Sequence, residues 1–143
     1  MAQQHELEPD VELALHWAQE HPEISGGIWF DNEAVRSGGQ ARLIIASTDP
    51  DHGSLRRLLA GCPHPDRLHV RHARLPEARL RSIAQDLCDQ QAPSLSGCEA
   101  DIVRNAVVVY ITEPSGELEA ALCARYEADA LEIRYGRVVN TSV

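Results

Sequence analysis

Two kinds of hydrophobic pattern alternate along this chain. Stripes in which apolar residues recur every three or four positions predict helices over residues 10–20, 49–61, 76–90 and 117–125. Short apolar runs bounded by glycine, proline or polar residues predict strands over residues 26–30, 42–47, 67–71, 98–103, 106–112 and 131–135. The predicted order is helix, strand, strand, helix, strand, and it occurs twice.

Residue matches accompany the repeated order of elements. Leu43 and Ile45 fall on Val107 and Val109 when the two halves are aligned. The longer matching segments are residues 22–26 with 93–97, residues 48–50 with 112–114, and residues 66–71 with 129–134. The register changes where the first hairpin has a longer loop, and insertions in surface loops cost little free energy. We therefore infer an internal duplication.

The duplication predicts an α+β fold made of two tandem α-β-β-α-β units. Each unit supplies three strands and two helices, so the simplest arrangement is a largely antiparallel three-stranded sheet covered by helices. We place the first repeat at residues 1–75 and the second, with a C-terminal tail, at residues 76–143. Units of about 70 residues are near the lower size limit for independent folding, so we expect the repeats to share buried surface.

Composition indicates a folded acidic protein. The chain has 143 residues, of which 43% are hydrophobic, and its formal charge is 13 − 22 = −9. Such a charge disfavours nucleic acid and anionic membranes as partners and suits a basic protein partner. The first nine residues lack the pattern of a secretory signal, and no apolar stretch is long enough to span a bilayer, so we expect a cytoplasmic location. The sequence leaves a homo-oligomer open.

The four cysteines, Cys62, Cys88, Cys98 and Cys123, form no Cys-x-x-Cys pair. We interpret them as small buried hydrophobic residues rather than disulfide partners or metal ligands.

A zinc site at the end of the first repeat is the one metal hypothesis that the sequence suggests. Its candidate ligands are Cys62, His64, His69 and His72. Their spacing matches no recognised zinc motif, and His69 and His72 point to opposite faces of a strand. We therefore predict no metal and no other cofactor.

Other residues with chemical potential also favour structural roles. Ser25 and Ser96 precede glycines but lie in no Gly-x-Ser-x-Gly elbow, so we expect a shared turn role. The acidic cluster at the first helix start, which includes Asp10, is expected to be solvated and to favour the helix dipole. Trp17 and Trp29 are expected to be core anchors.

Three segments resemble the pro-regions of bacterial streptogrisin and alpha-lytic serine proteases. They are residues 25–30 (SGGIWF), residues 68–75 (LHVRHARL) and residues 104–109 (RNAVVV). Their order and approximate spacing also agree over roughly residues 22–137.

The resemblance implies a noncatalytic protein that binds a serine protease as a folding helper or inhibitor. In that family the C-terminal sheet of the pro-region extends a sheet of the protease, and the tail enters the active-site cleft. This implies that an exposed strand edge and the tail bind the partner. The implied partner-binding residues are Val107, Val109, Ile111, Leu131, Ile133, Tyr135, Arg137, Val138 and Val139.

A second hypothesis from another class is kept beside the first. Ligand sites favour junctions between lobes, so the cleft between the repeats could hold a small molecule or an enzyme site that uses His64, His69 and His72. The sequence favours the noncatalytic hypothesis, because it contains no catalytic motif specific enough to indicate a reaction.

Overall fold

The computed structural model describes residues 5–90, 95–113 and 115–136 of the chain. The chain divides into two compact units, Met1–Ala78 and Arg79–Val143, which are described one at a time. Within the described residues each unit contains a three-stranded sheet and two helices. The predicted α+β fold with a two-unit repeat is confirmed.

The helices and strands follow the predicted order. The first unit contains α1 (Glu8–Glu20), β1 (Ser25–Asp31), β2 (Arg42–Ser47), α2 (Gly53–Gly61) and β3 (Leu68–His72). The second contains α3 (Glu77–Gln90), β4 (Leu95–Asp101), β5 (Ala106–Ile111), α4 (Gly116–Arg125) and β6 (Leu131–Tyr135). A single helical turn at Glu33–Arg36 lies in the first hairpin loop, and a 3-10 turn at Pro65–Arg67 precedes β3.

Each sheet contains one antiparallel and one parallel pair of strands. The first sheet has the order β1-β2-β3, and the second has the order β4-β5-β6. The first pair in each sheet is antiparallel, as expected, but β2 and β3 are parallel, and so are β5 and β6. The reason is that α2 and α4 connect these strands and carry the chain back to the end where the preceding strand began.

A β-bulge lies near the start of the first strand in both units. The register shifts between Ser25 and Gly27 in β1, and between Leu95 and Gly97 in β4. Gly27 lies opposite Ala46 in β2, and Gly97 lies opposite Tyr110, which is the equivalent residue of β5. Gly97 therefore corresponds to Gly27, one residue later than the sequence alignment had placed it. The alignment missed this offset because it followed the Ser-Gly match of residues 25–26 with residues 96–97, which the ladder register does not preserve.

Equivalent positions in the two units follow from this register. Residues of α1 and β1 correspond to residues of α3 and β4 numbered 70 higher, because Ile28 and Cys98 hold the same place in the ladder. The helices agree, since both α1 and α3 end five residues before the next strand begins. Between β3 and β6 the difference in numbering is 63, so Val70 and Ile133 are equivalent residues.

The core of the first unit lies between its helices and one face of its sheet. Its members are Leu7, Ala14, Trp17, Leu43, Ile45 and Leu55, with Ile28, Phe30, Leu68 and Val70 among the partly buried residues packed against them. Trp17 is therefore a core anchor, as predicted. Trp29 is half-buried, and the Arg71 guanidinium lies 5.3 Å from its ring centroid.

The second unit buries the same kinds of position. On α3 the side chains of Leu80, Ile83 and Leu87 are fully buried, at spacings that place them on one face. The central strand β5 is buried along almost its whole length, and Leu122 is the buried residue of α4. The helical stripe predicted for residues 76–90 is thus the buried face of α3.

The ends of two helices are capped by side chains. His52 precedes α2, and its Nδ1 accepts a hydrogen bond from the Ser54 backbone N–H at 3.2 Å. Ser115 precedes α4, and its Oγ accepts from the Leu118 backbone N–H at 3.2 Å. The predicted helix stop at Pro93 and the matched Pro114 lie outside the described residues.

Candidate functional site

The strand β6 forms one edge of the second sheet. The Val107 N–H donates to the Ala130 carbonyl at 2.8 Å, and the Gly136 N–H donates to the Ile111 carbonyl at 2.9 Å. In a parallel ladder the residues that face the neighbouring strand alternate, so the main chains of Leu131, Ile133 and Tyr135 point away from β5. Among the described residues no strand pairs with this outer edge. The edge therefore offers backbone donors and acceptors to another extended segment.

One row of β6 side chains is mostly apolar. Leu131 and Ile133 are half-buried, and Tyr135 at the end of the strand is 52% exposed. The Tyr135 hydroxyl interacts with Glu119, and this hydrogen bond raises the pKa of Tyr135. An incoming strand would therefore meet aliphatic surface that ends in an aromatic ring.

The other row of β6 side chains is charged and internally paired. Arg104 Nη1 lies 2.9 Å from Glu132 Oε1, and Arg134 Nη2 lies 3.3 Å from Glu132 Oε2. The negative charge of Glu132 raises the pKa of Arg134. All three side chains are partly exposed, so this face can offer both a carboxylate and guanidinium groups to a partner.

The structure corrects the predicted role of β5. Val107, Val109 and Ile111 are fully buried, and their strand is central, with β4 on one side and β6 on the other. A central strand has no free edge, so these three residues form the interior of the unit instead of a contact surface. The predicted binding edge is thereby reduced to Leu131, Ile133 and Tyr135. The tail residues Arg137, Val138 and Val139 lie outside the described residues.

The first unit has an equivalent edge of different character. Its strand β3 pairs with β2 on one side and exposes His69, Arg71 and His72. The edge at β3 is thus more basic and more polar than the edge at β6.

The candidate zinc ligands are placed in different environments. His69 and His72 are exposed on β3 and belong to opposite faces of the strand, whereas Cys62 is buried. Burial, and then the negative charge of Asp10, raise the pKa of the Cys62 thiol. Within the described residues no group of three or more histidine, cysteine or acidic side chains could hold a metal ion.

The structure instead joins His64 to Asp10. The His64 backbone N–H donates to Asp10 Oδ2 at 2.9 Å, and its ring Nδ1 donates to Oδ1 at 2.9 Å. Asp10 is fully buried, so the expectation that this acid is solvated is wrong. The sequence did contain a signal for this burial, because Asp10 belongs to the apolar stripe of α1, one turn before Ala14.

A second polar chain links α1 to the start of α2. Trp17 Nε1 donates to Ser54 Oγ at 2.8 Å, and Ser54 Oγ lies 2.6 Å from His52 Nδ1. The His21 ring stacks on Trp17 and meets His52 edge-on, each at 5.7 Å between centroids. A serine beside a histidine also occurs in nucleophilic sites, but this serine is 5% exposed and receives an indole hydrogen bond. The cluster therefore holds the helices together.

The two serines considered for catalysis have separate surroundings. Ser25 is buried and pairs with Ser47 across the ladder, and its Oγ has no hydrogen-bond partner among the described residues. Ser96 is exposed at the bulge of β4, where its Oγ donates to the carbonyls of Tyr110 at 3.2 Å and Gly136 at 3.1 Å. The predicted turn role is wrong for both serines, because each lies within a strand, β1 or β4. Ser25 lies in the buried ladder.

No protein-family model matches the chain, and the search of curated proteins found no match. Within the described residues no helix combines the length and the apolar content needed to cross a membrane. Of the two open edges described above, the edge at β6 is the less basic one and ends in an exposed aromatic ring.

Proposed function

We propose that this protein is a noncatalytic binding module that adds an extended segment of a partner protein to the outer edge of β6. The observation that carries the proposal is the outward direction of the Leu131, Ile133 and Tyr135 main chains at the end of a sheet. Strand addition uses such groups for affinity and uses alternate side chains for selectivity.

The side chains of β6 suit this form of binding. An added strand would lie beside two different rows: an apolar row that ends in Tyr135, and a charged row of Glu132 and Arg134. Cross-strand pairs of aromatic, aliphatic and opposite charges each contribute roughly 0.2–1 kcal/mol. The partner segment would therefore alternate apolar and charged residues.

The resemblance to pro-regions of streptogrisin and alpha-lytic proteases supports a serine protease as the partner class. Pro-regions of that family extend a sheet of the protease, and β6 is an edge that can do so. The buried position of β5 limits the proposed contact to β6 and the tail that contains Arg137, Val138 and Val139.

The test uses a mature streptogrisin-type serine protease as the probe. Affinity is measured by calorimetry, and inhibition is measured by cleavage of a chromogenic peptide, for the wild-type protein and for Ile133→Pro. Proline removes the outward Ile133 N–H but no donor to β5, and proline is tolerated at such edge positions. We expect binding to weaken about 10–100-fold, because a partner carbonyl loses its donor.

The duplication supplies a matched control. Val70 holds the position of Ile133 in the first sheet, so Val70→Pro makes the same change at the β3 edge. We expect this variant to bind like the wild type. Equal losses in the two variants, or an unchanged affinity of Ile133→Pro, would reject the β6 edge, and a wild-type protein that does not bind the protease would reject the partner class.

A further inference from the structure

Two cysteines of the second unit lie with their sulfur atoms in contact. Cys88 is in the last turn of α3, Cys98 is in the middle of β4, and their Sγ atoms are 3.1 Å apart. Both are free thiols, and Cys98 Sγ also donates to the Ala84 carbonyl at 3.3 Å. A disulfide bond is about 2.05 Å long, so the two sulfur atoms need to approach by only about 1 Å.

The first unit shows that the fold does not require sulfur at this contact. The offset of 70 places Ala18 at the position of Cys88 and Ile28 at the position of Cys98. Both residues of the first unit are partly buried hydrophobics packed against its core. An alanine and an isoleucine therefore fill this place in one copy, and the second copy carries a thiol on each element instead.

We propose that Cys88 and Cys98 are a reversible redox site that closes to an intramolecular disulfide, with a low-molecular-weight disulfide such as oxidised glutathione as the oxidant. This site is independent of the proposed binding edge at β6. It lies on the opposite edge strand, β4, of the same sheet.

Exposure divides the chemical roles between the two thiols. Cys88 is exposed, so as a thiolate it can attack the oxidant, which forms a mixed disulfide and releases one glutathione thiolate. Cys98 then loses its proton to solvent, and its sulfur attacks Cys88 Sγ and expels the second glutathione. The protein loses two protons and two electrons, and one disulfide of the oxidant becomes two thiols.

Cys98 is suited to the second step and not to the first. It is half-buried, and burial, followed by the hydrogen bond between its thiol and Cys88, raises the pKa of Cys98 to about 12. A protonated, shielded thiol does not react readily with a dissolved oxidant. It is nevertheless already placed against the sulfur atom that becomes its target.

Mass spectrometry of the wild-type protein provides the direct test. Purified protein is incubated with oxidised glutathione, remaining thiols are alkylated, and the chain is cut with trypsin, which leaves both cysteines in residues 82–104. We expect this peptide to be two hydrogen masses lighter and unalkylated, whereas Cys62 and Cys123 are alkylated. Further cleavage before the aspartates of this peptide, Asp86, Asp89 and Asp101, should leave the Cys88 and Cys98 fragments joined until reduction.

Variants that restore the first-unit residues provide the controls. Cys88→Ala and Cys98→Ile should lose the linkage, and Cys123→Ser should keep it. The oxidised wild type should melt at a higher temperature than the reduced protein, because the cross-link restricts the unfolded chain, and the two substituted proteins should show no such shift. Alkylation of both cysteines after oxidation, or linkage of either one to Cys123 or to a second molecule, would overturn the proposal.

Discussion

Asp10 in α1 and Leu80 in α3 occupy equivalent positions, and both are fully buried. The acid is held by two hydrogen bonds from His64, whereas the leucine belongs to the apolar face of its helix. Trp17 and Leu87 form a second such pair, and Trp17 again donates a hydrogen bond where Leu87 has none to give. The fold therefore requires a buried side chain at both of these helix positions. A polar side chain is accepted there only where a hydrogen-bond partner is present.

The two units also differ in where their charged contacts lie. In the first unit Arg67 is buried, with Nε donating to the Ala41 carbonyl at 2.8 Å and Nη1 lying 3.3 Å from Glu6. In the second unit the bidentate pair of Arg79 and Glu127 is about 40% exposed on both sides. Buried polar groups connect distant segments in the first unit, and exposed pairs do so in the second.

The largest loss of stability is expected when the acid of the first unit, Asp10, is placed at the equivalent position of the second unit. Leu80→Asp would bury a carboxylate at a position that has no histidine to bind it, and it would also remove apolar volume. We expect a loss of about 4 kcal/mol or more in unfolding free energy, measured by urea denaturation. Leu80→Met is the control and should cost less than about 1.5 kcal/mol.

Separate probes can show which of the two units a substitution destabilises. Both tryptophans, Trp17 and Trp29, belong to the first unit, so their fluorescence reports that unit. Hydrogen exchange of β5 and β6 reports the second. Leu80→Asp should remove protection from β5 and β6, and normal protection there would contradict the assignment of Leu80 to the interior.

A smaller effect is expected from the reverse exchange. Asp10→Leu would leave the backbone and ring N–H groups of His64 without their acceptor. We expect a loss of about 2–3 kcal/mol in unfolding free energy, measured by tryptophan fluorescence in urea, because hydrogen bonds to a charged group are among the stronger ones. Asp10→Asn keeps an acceptor oxygen and should lose less. A stability equal to the wild type for Asp10→Leu would mean that the two positions are interchangeable.

The smallest effect is expected at the exposed pair of Arg79 and Glu127. The hydrogen bond from Arg79 lowers the pKa of Glu127 below its usual 4.5 in the folded protein. The pair therefore contributes stability above pH 4.5, and the contribution is lost as the pH falls through the lowered value. Glu127→Gln should cost less than about 1 kcal/mol at neutral pH, since both side chains are well solvated.

Urea unfolding across acidic pH tests the direction of that effect. The difference between the wild type and Glu127→Gln should shrink as the pH decreases and should vanish once Glu127 is protonated in the folded state. A difference that persists or grows in acid would show that the substitution acts through something other than the ion pair.

The sequence predicted strands well where an apolar run is bounded on both sides by polar or turn residues. Strands β2 and β6 have the predicted bounds, Arg42–Ser47 and Leu131–Tyr135, because each is an apolar or β-branched run between polar or turn residues. The parallel pairs were missed because strand direction depends on how α2 and α4 return the chain, and local periodicity contains no information on that path. The bulges were missed for the same kind of reason.

The candidate site was predicted only in part. Leu131, Ile133 and Tyr135 lie on an edge strand, but Val107, Val109 and Ile111 are buried in a central one, and strand order cannot be read from apolar runs that look alike. The prediction that the cysteines are buried is wrong for Cys88 and Cys123, which are exposed, and the contact of Cys88 with Cys98 was missed because the two residues lie on different elements. The burial of Asp10 was missed because its partner, His64, lies 54 residues away.

The bulge position has room for a side chain in one unit only. A Cβ at Gly26 would lie 2.5 Å from Ala73 Cβ, and the equivalent pair in the second unit is Ser96 with Gly136, in which the side chain sits on the opposite strand. In the first unit the larger residue of this pair is Ala73, which follows β3, whereas in the second unit it is Ser96 in β4. A chimaera that grafts β4 in place of β1 would need glycine after β3 as well, because a side chain fits at the bulge only when the residue that faces it has no Cβ.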